Sequence, residues 1–150
     1  MKKGMYKMKT WLKVLLVTLL FGVPAFFLAP RIWPMSSDWP TPTSQQFPFF
    51  VLIAIFDSLT FGLGIAFLLF GWPIVQRIAN ESGILAWVLY IIIAFMLLSW
   101  WPHDNLHSMV GTNMQGLLYI EYGFHVSQMF GGAIVAYSFL RLFRQGVPSR

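Results

Sequence analysis

All three histidines of the chain lie between positions 103 and 125, in a segment that also holds two of its five acidic residues. His103 and His107 are four residues apart, and Glu121 and His125 repeat that spacing. Residues i and i+4 share one face of an α-helix, so each pair points two side chains in one direction. Imidazoles and carboxylates that converge from rigid elements are transition-metal ligands. The pattern predicts a metal site with His103, His107, His125, Glu121 and Asp104 as ligands.

Copper, iron and zinc all remain open as the metal. Met109, Met114 and Met129 lie near the histidines in the sequence, and thioether ligands favour copper. The His-Glu-x-x-His signature of zinc proteases is absent, and di-iron bundles use Glu-x-x-His spacing with more glutamates. A bound ion would act as a Lewis acid or redox centre on a small oxidisable or lipid-soluble substrate. The sequence identifies no catalytic residue and leaves open whether the protein is an enzyme.

A second layer around this site, or a proton path to it, is predicted from Asp57, Tyr122 and Met129. Asp57 lies ten residues into an apolar stretch, which corresponds to a depth of about 15 Å. His125 lies at a similar depth in another stretch, so the two could face one another. An ionisable side chain at the centre of a span costs at least ~2.5 kcal/mol, which makes such residues functional candidates.

Purely structural roles compete with this interpretation. His103 and His107 could lie in a polar loop and bond to headgroups or water. Glu121 and His125 could satisfy one another as an isolated pair. Asp57 could pair with His125 or cap a backbone carbonyl. In these alternatives no ion is bound.

The composition predicts that a membrane surrounds these residues. The chain has 150 residues, of which 57% are apolar and 10% charged, whereas soluble domains carry about 25% charged residues. The net charge of +5 does not indicate a nucleic-acid partner, because the basic residues sit at the ends of apolar runs and not on one water-facing surface. The absence of cysteine excludes disulfides, thiolate metal sites and covalent haem attachment.

The predicted fold is all-α: one transmembrane domain, residues 1–150, built as a four-helix bundle. An apolar run of about 20 residues spans the bilayer as a helix. Four stretches approach or exceed this length: 11–29, 47–72, 84–101 and 117–142. The first could also be a signal peptide, but its apolar run is long for one, so we interpret it as a retained helix.

Two further features would shape this bundle. Pro102 suits the first turn of a short interfacial helix and Gly111 suits its end, so a helix over 102–110 is predicted in the outer loop between helices three and four. Glycines in the second and fourth helices predict close packing with their neighbours. They are Gly62, Gly64, Gly131 and Gly132.

The basic residues predict the orientation. Nine of the ten fall on one side of the predicted topology and only Arg31 falls on the other. The nine are Lys2, Lys3, Lys7, Lys9, Lys13, Arg77, Arg141, Arg144 and Arg150. The positive-inside rule then predicts that both termini are cytoplasmic. The expected location is a bacterial or archaeal cell membrane, with the histidine-containing loop on the outer side.

Two other functions fit the same residues. A b-type haem or a quinone could occupy the bundle, with His125 as the deep axial ligand. Alternatively, the chain is a non-catalytic small subunit or assembly factor of a larger membrane complex. Beyond the lipid bilayer, the expected partners are therefore other membrane subunits or a second copy of the chain. A transporter has less support, because no inverted repeat is present.

Overall fold

The computed structural model describes residues 9–79 and 82–145, and over these ranges the chain is helical with no β-strand. The predicted all-α class is therefore confirmed. Lys2, Lys3, Lys7 and Arg150, which contribute to the predicted orientation, lie outside the described residues. The helices are α1 (Thr10–Ile32), α2 (Phe47–Phe70), α3 (Trp72–Ile78), α4 (Gly83–Leu98), α5 (Trp100–Val110), α6 (Met114–Glu121), a π-helical turn (Tyr122–Val126) and α7 (Ser127–Gln145).

Two of the described helices, α1 and α2, are long and apolar enough to cross a membrane. A third span is present if α4 and α5, which are bent by 41° at Ser99, count as one. Large apolar side chains such as Phe27, Phe56 and Trp87 face outward from the chain, as lipid contact requires. These helices are compatible with a membrane protein, and the four-span topology stays a prediction.

The most extensive helix contact joins α1 to α2, and it depends on small residues. A Cβ atom added at Gly22 would lie 2.9 Å from the Ser58 carbonyl oxygen, and one at Gly62 would overlap the backbone of Thr18. The two helices thus approach at the level of their backbones, which is the packing that small residues at four-residue spacing permit. The close packing predicted for Gly62 is confirmed.

The other three glycines differ in how closely their neighbours approach. A Cβ at Gly64 would meet the Leu98 side chain, and one at Gly131 would lie 3.1 Å from Ile92. Gly132 has open space around it, so the expectation of close packing was wrong there. Gly132 therefore provides a control position for the substitution at Gly62 that is discussed below.

The first two predicted helix ends differ from the structure. The first helix was expected to stop at residue 29, but α1 continues through Pro30 to Ile32. Proline removes only one backbone donor, and the Trp33 N–H closes the final turn on the Ala29 carbonyl at 2.9 Å. The second stretch, 47–72, ends at Phe70, and the separate helix α3 follows after Gly71.

The other two stretches also differ from the prediction. The third, 84–101, ends at Leu98, and the predicted short helix begins two residues later as α5. The fourth, 117–142, is helical throughout but starts at Met114, where the Asn113 side chain accepts a hydrogen bond from the Gly116 N–H at 3.0 Å. It is not among the helices that meet the length and composition of a membrane span.

Candidate metal centre

Helix α5 presents His103 and His107 on the same face. Their Nε2 atoms are 3.0 Å apart and their rings are nearly perpendicular, with centroids 4.6 Å apart. His107 contacts Glu121 at the end of α6, and His103 contacts Phe124 in the π-helical turn that follows it. The predicted i, i+4 pairing of the two histidines is confirmed.

Glu121, the last residue of α6, joins this pair to the final histidine. Its Oε1 atom lies 3.2 Å from His107 Nε2, and its Oε2 atom contacts His125 Nδ1. One ligand atom each from His103, His107 and Glu121 lie within 4.8 Å of one another. A tetrahedral ion with ligands at 2.0–2.1 Å holds neighbouring ligand atoms about 3.3 Å apart, so the 3.0 and 3.2 Å separations are close to those of a metal shell.

The π-helical turn follows Glu121 immediately and contains His125. Such turns are rare and often occur at functional sites. The wider turn brings the His125 ring to 5.1 Å from the His103 ring, centroid to centroid. Sequence spacing predicted that Glu121 and His125 share a face, but nothing in it indicated the π geometry.

Asp104 contacts the ring nitrogen of His103 that is not directed at His107. Its Oδ1 atom lies 2.8 Å from His103 Nδ1, so the ring donates there and its Nε2 atom is left as a possible ligand. Metal-bound histidines commonly have such a carboxylate partner, which sets the orientation of the ring. Asp104 was predicted as a ligand, and the structure gives it this orienting contact.

Asp57 of α2 contacts Asp104 and is buried. The sequence allowed it to face His125, and the neighbour in the structure is Asp104. Equal depth in the bilayer does not determine which way a side chain points around its helix axis. Asp57 links α2 to the cluster through its contact with the Asp104 carboxyl group.

The cluster is buried at one end and open at the other. His103 is 7% exposed and stacks on Phe124, with ring centroids 3.7 Å apart and planes at 19°. The side chains of Glu121 and His125 are 44% and 47% exposed. The aromatic platform holds one histidine rigidly, while an ion or substrate could approach from the Glu121 side.

Tyr122 and Met129 lie on the surface, 69% and 74% exposed. No hydrogen bond or aromatic contact in the described part of the chain joins them to the histidines or to Glu121. Met109 and Met114 are exposed too. The structure therefore adds no support to the expectation of a thioether ligand, and the metal's identity stays a prediction.

Two supporting residues escaped the sequence analysis. Phe124 supplies the platform beneath His103, and Gln128 donates a hydrogen bond to Ser99 Oγ at 2.9 Å. The second contact ties α7 to the bend between α4 and α5. Gln128 had a detectable signal, since it is an uncharged polar residue three positions beyond His125 in an apolar stretch, whereas a phenylalanine in such a stretch is unremarkable.

A loop over residues 33–46 is fastened beside the cluster by Asp38. Its carboxylate accepts hydrogen bonds from Ser36 and Thr112, including the Thr112 backbone N–H at 3.1 Å. Gly111, with φ of 62°, ends α5 at this point, and a Cβ there would overlap Asp38. These contacts, led by the Ser36 hydroxyl, lower the pKa of Asp38 from 3.8 to about 2.

The Asp38 contacts predict an acid-sensitive loop. Because the folded pKa is depressed, the stabilisation is present above pH 3.8 and is lost as pH falls toward about 2. Pepsin cleavage within 33–46, normalised to an unstructured peptide in the same tube, should rise several-fold over that interval. Asp38→Asn should be cleaved readily at pH 4 already and change little below it. A native loop cut equally at pH 4 and pH 2 would contradict this assignment.

Comparisons with protein-family models, with curated proteins and with solved structures gave no match to this chain.

Proposed function

We propose that this chain is a membrane protein that binds one transition-metal ion between His103, His107 and Glu121 and acts in redox chemistry or metal handling. The observation that supports it most is the convergence of these three ligand atoms within 4.8 Å of one another. They come from two helices that are separate in the sequence. Asp104 adds support to the proposal. Its carboxylate contacts His103 Nδ1, so that His103 Nε2 is left to face the other ligands.

The roles of the remaining residues follow from their contacts. His125 orients Glu121 through its Oε2 atom and is close enough to the His103 ring to become a fourth ligand after a small movement of its side chain. Asp104 orients His103, and Asp57 supports Asp104. When bound, the ion would supply Lewis acidity or a one-electron couple.

The site belongs near the outer face of the proposed four-helix bundle. Lys9 and Lys13 begin α1, Arg77 lies in α3 and Arg141 lies in α7. By chain direction, these segments gather at one end of the bundle, while α5 and α6 connect at the other. The positive-inside rule then supports cytoplasmic termini and an outward-facing metal site in a bacterial or archaeal cell membrane.

The geometry favours a small ion over haem. The two axial ligands of a haem lie on opposite faces of the macrocycle. His103 and His107 lie on one face of one helix with Nε2 atoms 3.0 Å apart, which leaves no room for a porphyrin between them. His125 Nδ1 already contacts Glu121 Oε2.

The exposed surface of α6, the π-helical turn and α7 favours a second candidate function, a subunit of a larger membrane complex. Tyr119, Tyr122, Phe130 and Tyr137 are all exposed there, next to the half-exposed Glu121 and His125. Aromatic side chains are enriched at protein interfaces. Recovery of the chain only within a stable hetero-complex, without metal, would support this role over the first.

Elemental analysis and an absorption spectrum of the detergent-purified chain test the proposal together. We expect one transition-metal ion per chain after exposure to copper, zinc and iron salts and removal of loosely bound ions, with no Soret band. A chain that retains its helical circular dichroism but holds none of these metals above a control membrane protein would contradict it. A Soret band would instead support haem.

A further inference from the structure

A cavity of about 370 Å³ adjoins the cluster, since Asp104 and His107 are among its lining residues. Its walls come from two parts of the chain. Met35 and Trp39 of the 33–46 loop form one wall, and Phe50, Ile53 and Ala54 of α2 form another. These walls are apolar and include two aromatic rings, which suit a flat aromatic molecule.

The polar floor of the cavity is formed by α5 and includes the metal ligand His107. The other floor residues are Asp104, Asn105 and Ser108. Asn105 donates an amide N–H to the Trp101 carbonyl at 2.6 Å, and Ser108 donates its hydroxyl to the Asn105 carbonyl at 2.9 Å. The oxygen atoms of both side chains are left as acceptors, so the floor is suited to a ligand that donates hydrogen bonds.

The charges around the cavity exclude two ligand classes. No Lys or Arg is among its lining residues, and one carboxyl group is. In the metal-free chain, a phosphate or carboxylate headgroup would therefore meet a negative group with no Lys or Arg side chain to balance it, which is costly in an apolar setting. A ligand with no hydroxyl group would leave the floor acceptors unpaired.

We propose that this cavity binds a neutral, lipid-soluble aromatic alcohol of the hydroquinone class, with its ring between the apolar walls and a hydroxyl group on the α5 floor beside His107. The inference rests on the proposed function, since it names the substrate class of the same metal site. Asp38 contributes indirectly by fastening the loop that carries Met35 and Trp39 over the ring.

Calorimetric titration of the detergent-purified, metal-free chain with a decyl-substituted hydroquinone, under argon, tests the proposal. We expect saturable binding of one molecule per chain. The dimethyl ether of the same compound, which has no donor, should bind at least about tenfold more weakly. Equal binding of the two compounds, or equal binding of dodecyl phosphate, would overturn the proposal.

Matched variants locate the binding. Ala54→Phe fills the α2 wall and should weaken hydroquinone binding at least about tenfold, while Ala133→Phe, at an exposed position of α7, should leave it unchanged. Unaltered binding by a folded Ala54→Phe variant would overturn the assignment to this cavity.

His103→Ala separates this inference from the proposed function, because His103 does not line this cavity. The variant should lose metal and retain hydroquinone binding. A wild-type chain that binds the hydroquinone but no metal would contradict the proposed function alone. A chain that binds metal but no hydroquinone would contradict the inference alone.

Discussion

Replacing His107 with alanine is expected to lower the affinity for the metal by at least about 100-fold. Loss of a residue that only hydrogen-bonds to a metal ligand already lowers metal affinity about 10–100-fold. His107 is itself the central ligand of the proposed set. Its Nε2 atom lies 3.0 Å from that of His103 and 3.2 Å from Glu121 Oε1. Competition with a chelator of known affinity, followed by elemental analysis, measures the change.

Two further variants make this result specific. His125→Ala removes a ring that contacts Glu121 and is not one of the three proposed ligands, so the expected loss is smaller, about 10–100-fold. Met109→Ala changes an exposed side chain of the same helix and should leave the affinity unaltered. Wild-type metal content in a folded His107→Ala variant would rule out the proposed ligand set.

Gly62→Leu is expected to lower the free energy of unfolding by at least about 3 kcal/mol. Overpacking of a core costs about 1–3 kcal/mol when side chains can move aside. At Gly62 the obstruction is the backbone of Thr18 and Gly22, which can yield only if α1 and α2 separate. Unfolding of the purified chain in mixed micelles, followed by circular dichroism, measures the difference.

Gly132→Leu is the matched control, because a Cβ at that position meets nothing within 4 Å. It makes the same change of residue in another apolar helix and should shift stability by much less. Similar losses for both variants would mean that the close approach of α1 and α2 is not what Gly62 supports.

The helices could be predicted because their cause is local and strong. A long apolar run in a bilayer must satisfy its own backbone hydrogen bonds, so 11–29 and 47–72 identified α1 and α2 to within a few residues. The breaks at Gly71 and Ser99 were harder to locate. Each lies inside an apolar run, and the bend at Ser99 is held by Gln128 from a distant helix.

The candidate site, too, could be predicted only in part from the sequence. The pairing of His103 and His107 follows from helix periodicity alone. The contact between Glu121 and His107 depends on how α5 and α6 meet, and Asp57 depends on the rotation of α2 about its axis. No pattern within a single stretch determines such angles, so equal depth alone could not decide between a contact of Asp57 with His125 and the contact with Asp104 that the structure has.

The hydrogen bond from His103 to Asp104 has a consequence for how an ion would enter. It leaves a lone pair on His103 Nε2, so the hydrogen between the two rings is carried by His107, which also faces the Glu121 oxygen. That hydrogen occupies the place a cation would take. Binding of the proposed ion through His107 Nε2 would require the neutral ring to carry this hydrogen on Nδ1 instead, so uptake would be coupled to a change of tautomer at His107.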